Sequence, residues 1–243
     1  MSNDRIFTAA LVVIGDEILS GRTQDKNIGQ IASWLNVQGI RLGEVRVVAD
    51  DMDAIAEAVN ILRERNDYLF TTGGIGPTHD DITADCIAEA FGAHLDVRDD
   101  ARAILAAHYA NSGQELNAAR LRMARIPDGA TLIDNPVSSA PGFSLGNVHV
   151  MAGVPTVFQA MVASVLPGLT GGEPLLSQSL RVMRGEGDIA AFLSDLAARH
   201  GDLSIGCYPF QHNGAYGANV VIRGHNGPGV DAAMREWAQE MGL

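Results

Sequence analysis

Residues 71–83, Thr71-Thr72-Gly73-Gly74-Ile75-Gly76-Pro77-Thr78-His79-Asp80-Asp81-Ile82-Thr83, combine the glycines of a phosphate turn with a pair of carboxylates. Gly73, Gly74 and Gly76 allow the chain to bend sharply and let a ligand lie close to backbone N–H groups, which draw anions most strongly where a helix begins. Asp80 and Asp81 follow at once and would repel a phosphate. A hard divalent cation such as Mg²⁺, which takes oxygen ligands, would reconcile the two. The expectation is therefore a phosphate site with its own metal, the two aspartates lying in the first turn of a helix. Thr78-His79-Asp80-Asp81 also reads as a capping box, in which Asp81 would be no more than the acidic partner of the cap.

Two further stretches carry polar residues of the same kind, Gly15-Asp16-Glu17-Ile18-Leu19-Ser20-Gly21 and Asn135-Pro136-Val137-Ser138-Ser139-Ala140-Pro141-Gly142. Ligands of open α/β sheets bind beyond the carboxyl ends of the strands, so loops that follow strands are expected to converge on one cleft. Asp16 and Glu17 would then join Asp80 and Asp81 as metal ligands, and Thr72, Thr78, Ser138 and Ser139 would supply hydroxyls. Such a set suits a phosphoanhydride: a cation for its oxygens, N–H donors to place it, and a carboxylate to orient an attacking water. Other motifs fail on spacing. Gly15 lacks the partners of GxGxxG, the 73–78 turn has no Lys-Ser/Thr pair, and neither HExxH nor GxSxG occurs. His79 reads either as a ligand contact or as a solvated loop residue, and the other histidines show no ligand spacing.

The elements that must hold these loops follow from periodicity. Thr8 to Ile14 is a continuous apolar run and reads as a buried parallel strand; Asn27 to Leu35 has helical spacing and closes at Gly39. Arg41 to Val48 and Tyr68 to Thr72 read as strands, separated by a helix that Asp50 or Asp51 caps and that runs to about Arg65. A helix ends at Gly92, Arg98 to Tyr109 and Glu115 to Arg125 look helical, and short strands follow at Thr131 to Ile133 and Val148 to Met151. Pro155 opens a helix that ends by Leu166-Pro167-Gly168, and Gly168 to Pro174 reads as a linker. The tail reads as a βαββα unit: strand Gln178 to Met183, helix Asp188 to His200, strands Leu203 to Tyr208 and Ala218 to Arg223, helix Val230 to Met241. Strands alternating with helices imply right-handed crossovers and a mostly parallel sheet covered on both faces.

Composition narrows the class. A chain of 243 residues with 47% hydrophobic residues is a globular protein of two unequal units. It has no apolar run of about 18 residues to span a bilayer, and the start Met1-Ser2-Asn3-Asp4-Arg5 lacks the pattern of a secretion signal, so a cytoplasmic protein away from membranes is expected. Cys86 and Cys207 have no CxxC spacing and read as reduced thiols. The net charge of −12 argues against a nucleic-acid groove and for a small ligand that brings its own cation.

Gly15-Asp16-Glu17-Ile18-Leu19-x-Gly21, Asn27, Thr72-Gly73-Gly74-Ile75-Gly76-Pro77-Thr78-x-Asp80-Asp81-x-Thr83, Asn135-Pro136-x-x-x-Ala140-Pro141-Gly142 and Gly153-Val154-Pro155 together resemble the molybdopterin-binding (MoaB/Mog-like) domain family, in its CinA-type branch. The resemblance implies an α/β fold, a three-layer α/β/α sandwich over residues 1–170, followed by a small α+β, KH-like domain over 171–243. It implies a ligand-binding set of Gly15, Asn27, Thr72, Gly73, Gly74, Ile75, Gly76, Thr78, Ser138, Ser139, Pro141, Gly142, Gly153 and Pro155, with catalytic Asp80 and Asp81. Asp80, Asp81, Asp16 and Glu17 would hold a divalent metal, Mg²⁺ or similar. The activity implied first is metal-dependent cleavage of ADP-ribose or a similar nucleoside diphosphate derivative. The alternatives are molybdopterin binding or adenylylation in molybdenum cofactor biosynthesis, and non-catalytic binding of a nucleotide or pterin. A homo-oligomer, dimer or trimer, is implied as well. Two departures stand out. The usual Pro-Gly-Val-Pro-x-Glu segment is here Ala152-Gly153-Val154-Pro155-Thr156-Val157, without its carboxylate, and the sequence stops at Leu243, short of a nicotinamide mononucleotide deamidase domain whose activity is expected to be absent.

Overall fold

The apolar run Phe7–Ile14 forms strand β1, an interior strand next to one edge of a six-stranded sheet. In order along the chain come α1 (Asp16–Leu19), α2 (Asn27–Val37), β2 (Ile40–Val48), α3 (Met52–Arg65), β3 (Tyr68–Thr72), α4 (Thr83–Phe91), β4 (Leu95–Val97), α5 (Asp99–Ser112) and α6 (Ala118–Leu121). Strands β5 (Arg125–Pro127), β6 (Thr131–Ile133), β7 (Gly142–Leu145) and β8 (Val148–Met151) and helix α7 (Pro155–Val165) follow. The computed structural model describes residues 5–243, so the Met1-to-Asp4 part of the start read above for a secretion signal lies outside the described residues.

The sheet order is β2-β1-β3-β8-β7-β6; the first four strands run parallel, and β7 and β6 complete one edge antiparallel. Successive side chains of β1 point to opposite faces. Ala10, Val12 and Ile14 pack with α3, α4 and α5 through Ile55, Leu62, Ile87 and Leu105, while Ala9, Leu11 and Val13 pack with α2 and α7 through Ile31, Leu35, Phe158 and Met161. This is the expected three-layer sandwich. Because α2 and α3 cross on opposite faces, the strand order reverses beside β1, which is where a crevice opens in such folds. Register aligns the ends: Ile14 lies opposite Val48, Val13 opposite Thr72, and Thr72 opposite Met151. The loops after β1, β2, β3 and β8 thus leave the sheet side by side.

Capping follows local chemistry. Asp51 accepts from Ala54 N at 3.0 Å to start α3, and Gly92, left-handed at φ 60°, ends α4. Three expectations need correction. Asp80 and Asp81 do not lie in the first turn of α4, which begins at Thr83 after Ile82, and Thr78–Asp81 forms a separate turn in place of a capping box. The expected helix Glu115 to Arg125 is broken, because Asn117 accepts from Arg120 N and starts the short α6, and a 3₁₀ turn then delivers the chain to β5 opposite β4. Gly171 and Gly172 are not a free linker: Gly172 N–H donates to Gly39 O at 3.2 Å, and a Cβ on Gly171 would lie 1.8 Å from Gln38 O.

The chain divides into two compact units between Gly172 and Glu173. The second contains β9 (Leu176–Val182), α8 (Glu186–Arg199), β10 (Ser204–His212), β11 (Ala215–Gly224) and α9 (Gly227–Met241). Its sheet is antiparallel in the order β10-β11-β9, and Val182, Ile189, Leu196, Val220, Ile222 and Trp237 form its core.

Candidate functional site

The turn after β3 is shaped by missing side chains. Gly73 and Gly74 have φ of 109° and 65°, conformations that other residues adopt only under strain. A Cβ on Gly73 would meet Ile14 O at 2.1 Å, and one on Gly74 would meet Thr83 Oγ1 at 2.2 Å. Thr83 is buried and fastens the turn to the start of α4: its Oγ1 donates to Gly73 O at 3.0 Å and its N–H to Gly74 O at 3.0 Å. Gly73 N–H donates to Met151 O at 3.1 Å, and Gly153, on the loop after β8, lies against Gly73 so closely that its Cβ would be 3.3 Å from Gly73 Cα.

The adjacent aspartates are used differently. Asp81 Oδ2 accepts from Thr78 N–H at 2.8 Å and Thr78 Oγ1 at 2.5 Å, which closes the 78–81 turn. Asp80 is exposed, and hydrogen bonding from Thr78 and its own backbone holds its carboxyl below the usual range. Asp50, just beyond β2, behaves in the opposite way. It accepts from Asp16 N–H at 3.0 Å, yet burial, followed by the charges of Asp16, Glu17 and Asp80, pushes its carboxyl up.

Asn135 builds the opposing loop. Its Oδ1 accepts from Val137 N–H at 3.1 Å and Ser138 N–H at 3.2 Å, while its Nδ2 donates to Ser138 Oγ at 2.6 Å and Ala140 O at 2.8 Å. Ser139, held between these contacts, adopts φ of 61°. Asn27 forms a second network: its Nδ2 donates to Thr72 Oγ1 and to Gly153 O, both at 2.9 Å, and Thr72 Oγ1 donates to Ala152 O at 3.0 Å. That network ties α2, β3 and the loop after β8 together.

These loops enclose a cleft of about 560 Å³. Of the residues expected at the site, Gly15, Glu17, Gly73, Gly74, Ile75, Gly76, Asp80, Asp81, Ser138, Gly153 and Pro155 line it. The others stand back. Asn27 and Thr72 are buried in their network, Thr78 binds Asp81, and Asp16 engages Asp50 through its backbone. Ser139 is a bend in the Asn135 loop, Pro141 lines a small neighbouring cavity, and Gly142 is a packing residue whose Cβ would meet Val150 O at 2.4 Å. Val157 lines the cleft and is nearly buried, so the wall where a glutamate was expected is apolar. Sequence reasoning missed Asp50, Thr23, Met123 and the lining role of Asn135. Asp50, two residues beyond β2, reads from the sequence as a helix cap, a role that Asp51 takes.

Among the described residues, no group of three or more His, Cys, Asp and Glu stands close enough to hold a metal ion. The shell of Asp16, Glu17, Asp80 and Asp81 therefore does not close, because Asp81 is engaged by Thr78 and Asp16 lies outside the cleft lining. Mg²⁺ commonly binds through one or two carboxylates, with substrate phosphates and water completing its sphere. Asp50 and Asp80, which both line the cleft, are a pair that fits that arrangement, and the Asp80 charge adds to the burial that pushes the Asp50 carboxyl up.

Residues 10–171 match the family model described as "Probable molybdopterin binding domain", and residues 174–242 match "FAD synthase, middle domain". A CinA-like protein of Citrifermentans bemidjiense is 40% identical over 167 residues, covering 67% of this chain and 40% of the relative. Protein Ta0487 of Thermoplasma acidophilum is 35% identical over 161 residues, 65% of this chain and 62% of the relative. The crystal structure of the protein CinA with unknown function from Thermoplasma acidophilum is 34% identical, with a TM-score of 0.61, and covers 66% of this chain and 96% of that one. The chain belongs to the molybdopterin-binding domain family, in its CinA-type branch. It spans about 40% and 62% of the length of the two relatives above.

Proposed function

We propose that the first unit binds a phosphorylated pterin of the molybdopterin type in the cleft, its phosphate against the glycine turn and a divalent cation carried between phosphate and carboxylates. The observation that carries this reading is the Gly73–Gly76 turn, in which Ile75 bears the single side chain, at the switch point of the sheet and facing Ser138 and Asp80 across one space. Family membership supports the pterin. In that reading Asp50 and Asp80 would hold the cation, which would neutralise phosphate oxygens; Asn135 and Ser138 shape the opposite wall. The Asn27–Thr72–Gly153 network ties the end of β3 to the loop after β8 beneath the cleft.

A second reading, hydrolysis of ADP-ribose or a similar nucleoside diphosphate derivative, is favoured by one observation. Asp50 is held above the usual carboxyl range and Asp80 below it, within one cleft. Carboxyls whose ionisation is split in this way suit acid and base roles, which in this second reading would fall to Asp50 and Asp80. Titration calorimetry with molybdopterin, and separately with ADP-ribose, each with Mg²⁺, tests both. Pterin binding that is lost in D80N, without AMP release from ADP-ribose, supports the first reading. AMP release lost in D80N replaces it with the second, and no heat with either ligand overturns both.

A further inference from the structure

Arg122 begins the 3₁₀ turn Arg122–Ala124 between α6 and β5. Its Nη2 donates to the carbonyl of Asp81 at 3.2 Å, and its Nε is buried without a partner. Among the described residues no carboxylate pairs with it. Arg125, three residues on, is the contrast: its Nη1 and Nη2 grip both oxygens of Asp85, at 3.1 and 2.5 Å. Both arginines line a small cavity of about 20 Å³ together with Gly74, Ile75, Gly76 and Asp81. Those same four residues line the large cleft, so the glycine turn is the wall the two spaces share. Arg122 stands behind that wall.

The chain carries a net charge of −12, and the cleft is lined by Glu17, Asp50, Asp80 and Asp81. An anion approaching the turn meets a field of its own sign. Backbone N–H groups alone contribute partial charges, whereas the guanidinium of the half-buried Arg122 contributes a whole one, which solvent screens only in part. We propose that Arg122 is the positioning residue that sets the affinity of the glycine turn for phosphate, acting through the Gly74–Asp81 backbone without touching the ligand. The inference rests on the cleft being a phosphate site. It adds that the ligand must present a charged phosphate at that turn. Its hydrogen bond to Asp81 has a second effect, because it holds the segment that aims Asp80.

The test is calorimetric titration of the full chain with inorganic pyrophosphate and Mg²⁺ at two salt concentrations, using native protein, Arg122→Gln and Arg122→Lys. Arg122→Gln should weaken binding about tenfold or more and flatten its salt dependence, while Arg122→Lys should recover most of the affinity. Should Arg122→Gln not fold, Arg122→Met, which fills the same buried stem, carries the comparison with the same expected loss. Equal affinity and equal salt dependence in native and charge-free variants would overturn the role of Arg122 and leave the phosphate site standing. Failure of the native protein to bind pyrophosphate would overturn the reading beneath it, and this inference with it.

Discussion

The two loops that face each other across the cleft reach a fixed shape by opposite means. The 73–76 turn is held because side chains are absent: Gly73 and Gly74 adopt positive φ and lie against Ile14 and Thr83 where no Cβ fits. The 135–140 loop is held because a side chain is present, the Asn135 amide, which makes four hydrogen bonds to its own loop. The first strategy spends the Gly73 N–H on Met151 O but leaves those of Gly74, Ile75 and Gly76 bare among the described residues, and the second uses up those of Val137 and Ser138. In the proposed function the glycine side would take the anion, while the asparagine side sets the shape of the wall.

The largest effect expected is from Gly73→Ala, which forces a Cβ onto a backbone oxygen that cannot move without shifting β1. It should cost about 3 kcal/mol or more, read as a fall in the urea midpoint. If the variant were as stable as native protein, the turn would not be sterically fixed. Next, Asn135→Ala should cost about 2 kcal/mol and loosen the cleft wall, with faster amide exchange at Val137 and Ser138. Exchange rates unchanged from native would break the contrast between the loops.

The neighbouring aspartates sharpen it further. Asp81→Ala removes the acceptor for both Thr78 donors and should cost about 1 kcal/mol, visible in thermal melting. Asp80→Asn should leave melting unchanged and weaken Mg²⁺-dependent binding. A reversed pattern would exchange their roles. The smallest effect concerns pH. A carboxyl pushed above its unfolded value favours the protonated fold, so Asp50 contributes stability that is present at low pH and lost as pH rises through its folded pKa. Asp50→Asn should therefore melt slightly higher than native protein at pH 7 and identically near pH 3. A gain that persists at pH 3 would point to another cause.

Much of this was legible beforehand. Strands β1, β3 and β8 are short apolar runs bounded by glycine; the glycines at 73 and 153 mark where the backbone comes close to other backbone, and Gly74 where it comes close to the Thr83 side chain. β4 and β7 were not legible, because Asp96 interrupts the apolar residues of Leu95–Val97 and β7 opens at the Pro141-Gly142 turn signal, so each depends on its partner strand for existence. The break of the expected Glu115 to Arg125 helix at Asn117 and the 3₁₀ turn had the same origin, since only pairing with β4 makes Arg125–Pro127 extended. Asp50 and Arg122 escaped notice for a further reason. Each matters through what it faces across the sheet or behind the turn, and neither spacing nor composition encodes that.

The central claim is that phosphate settles against the bare amides of the glycine turn. A crystal structure grown with inorganic pyrophosphate and Mg²⁺ tests it directly. The account predicts phosphate oxygens about 2.7–3.2 Å from backbone nitrogens within Gly74–Gly76, with the cation between them and Asp80. Pyrophosphate bound elsewhere, with that turn untouched and Asp80 turned away from the cleft, would contradict it.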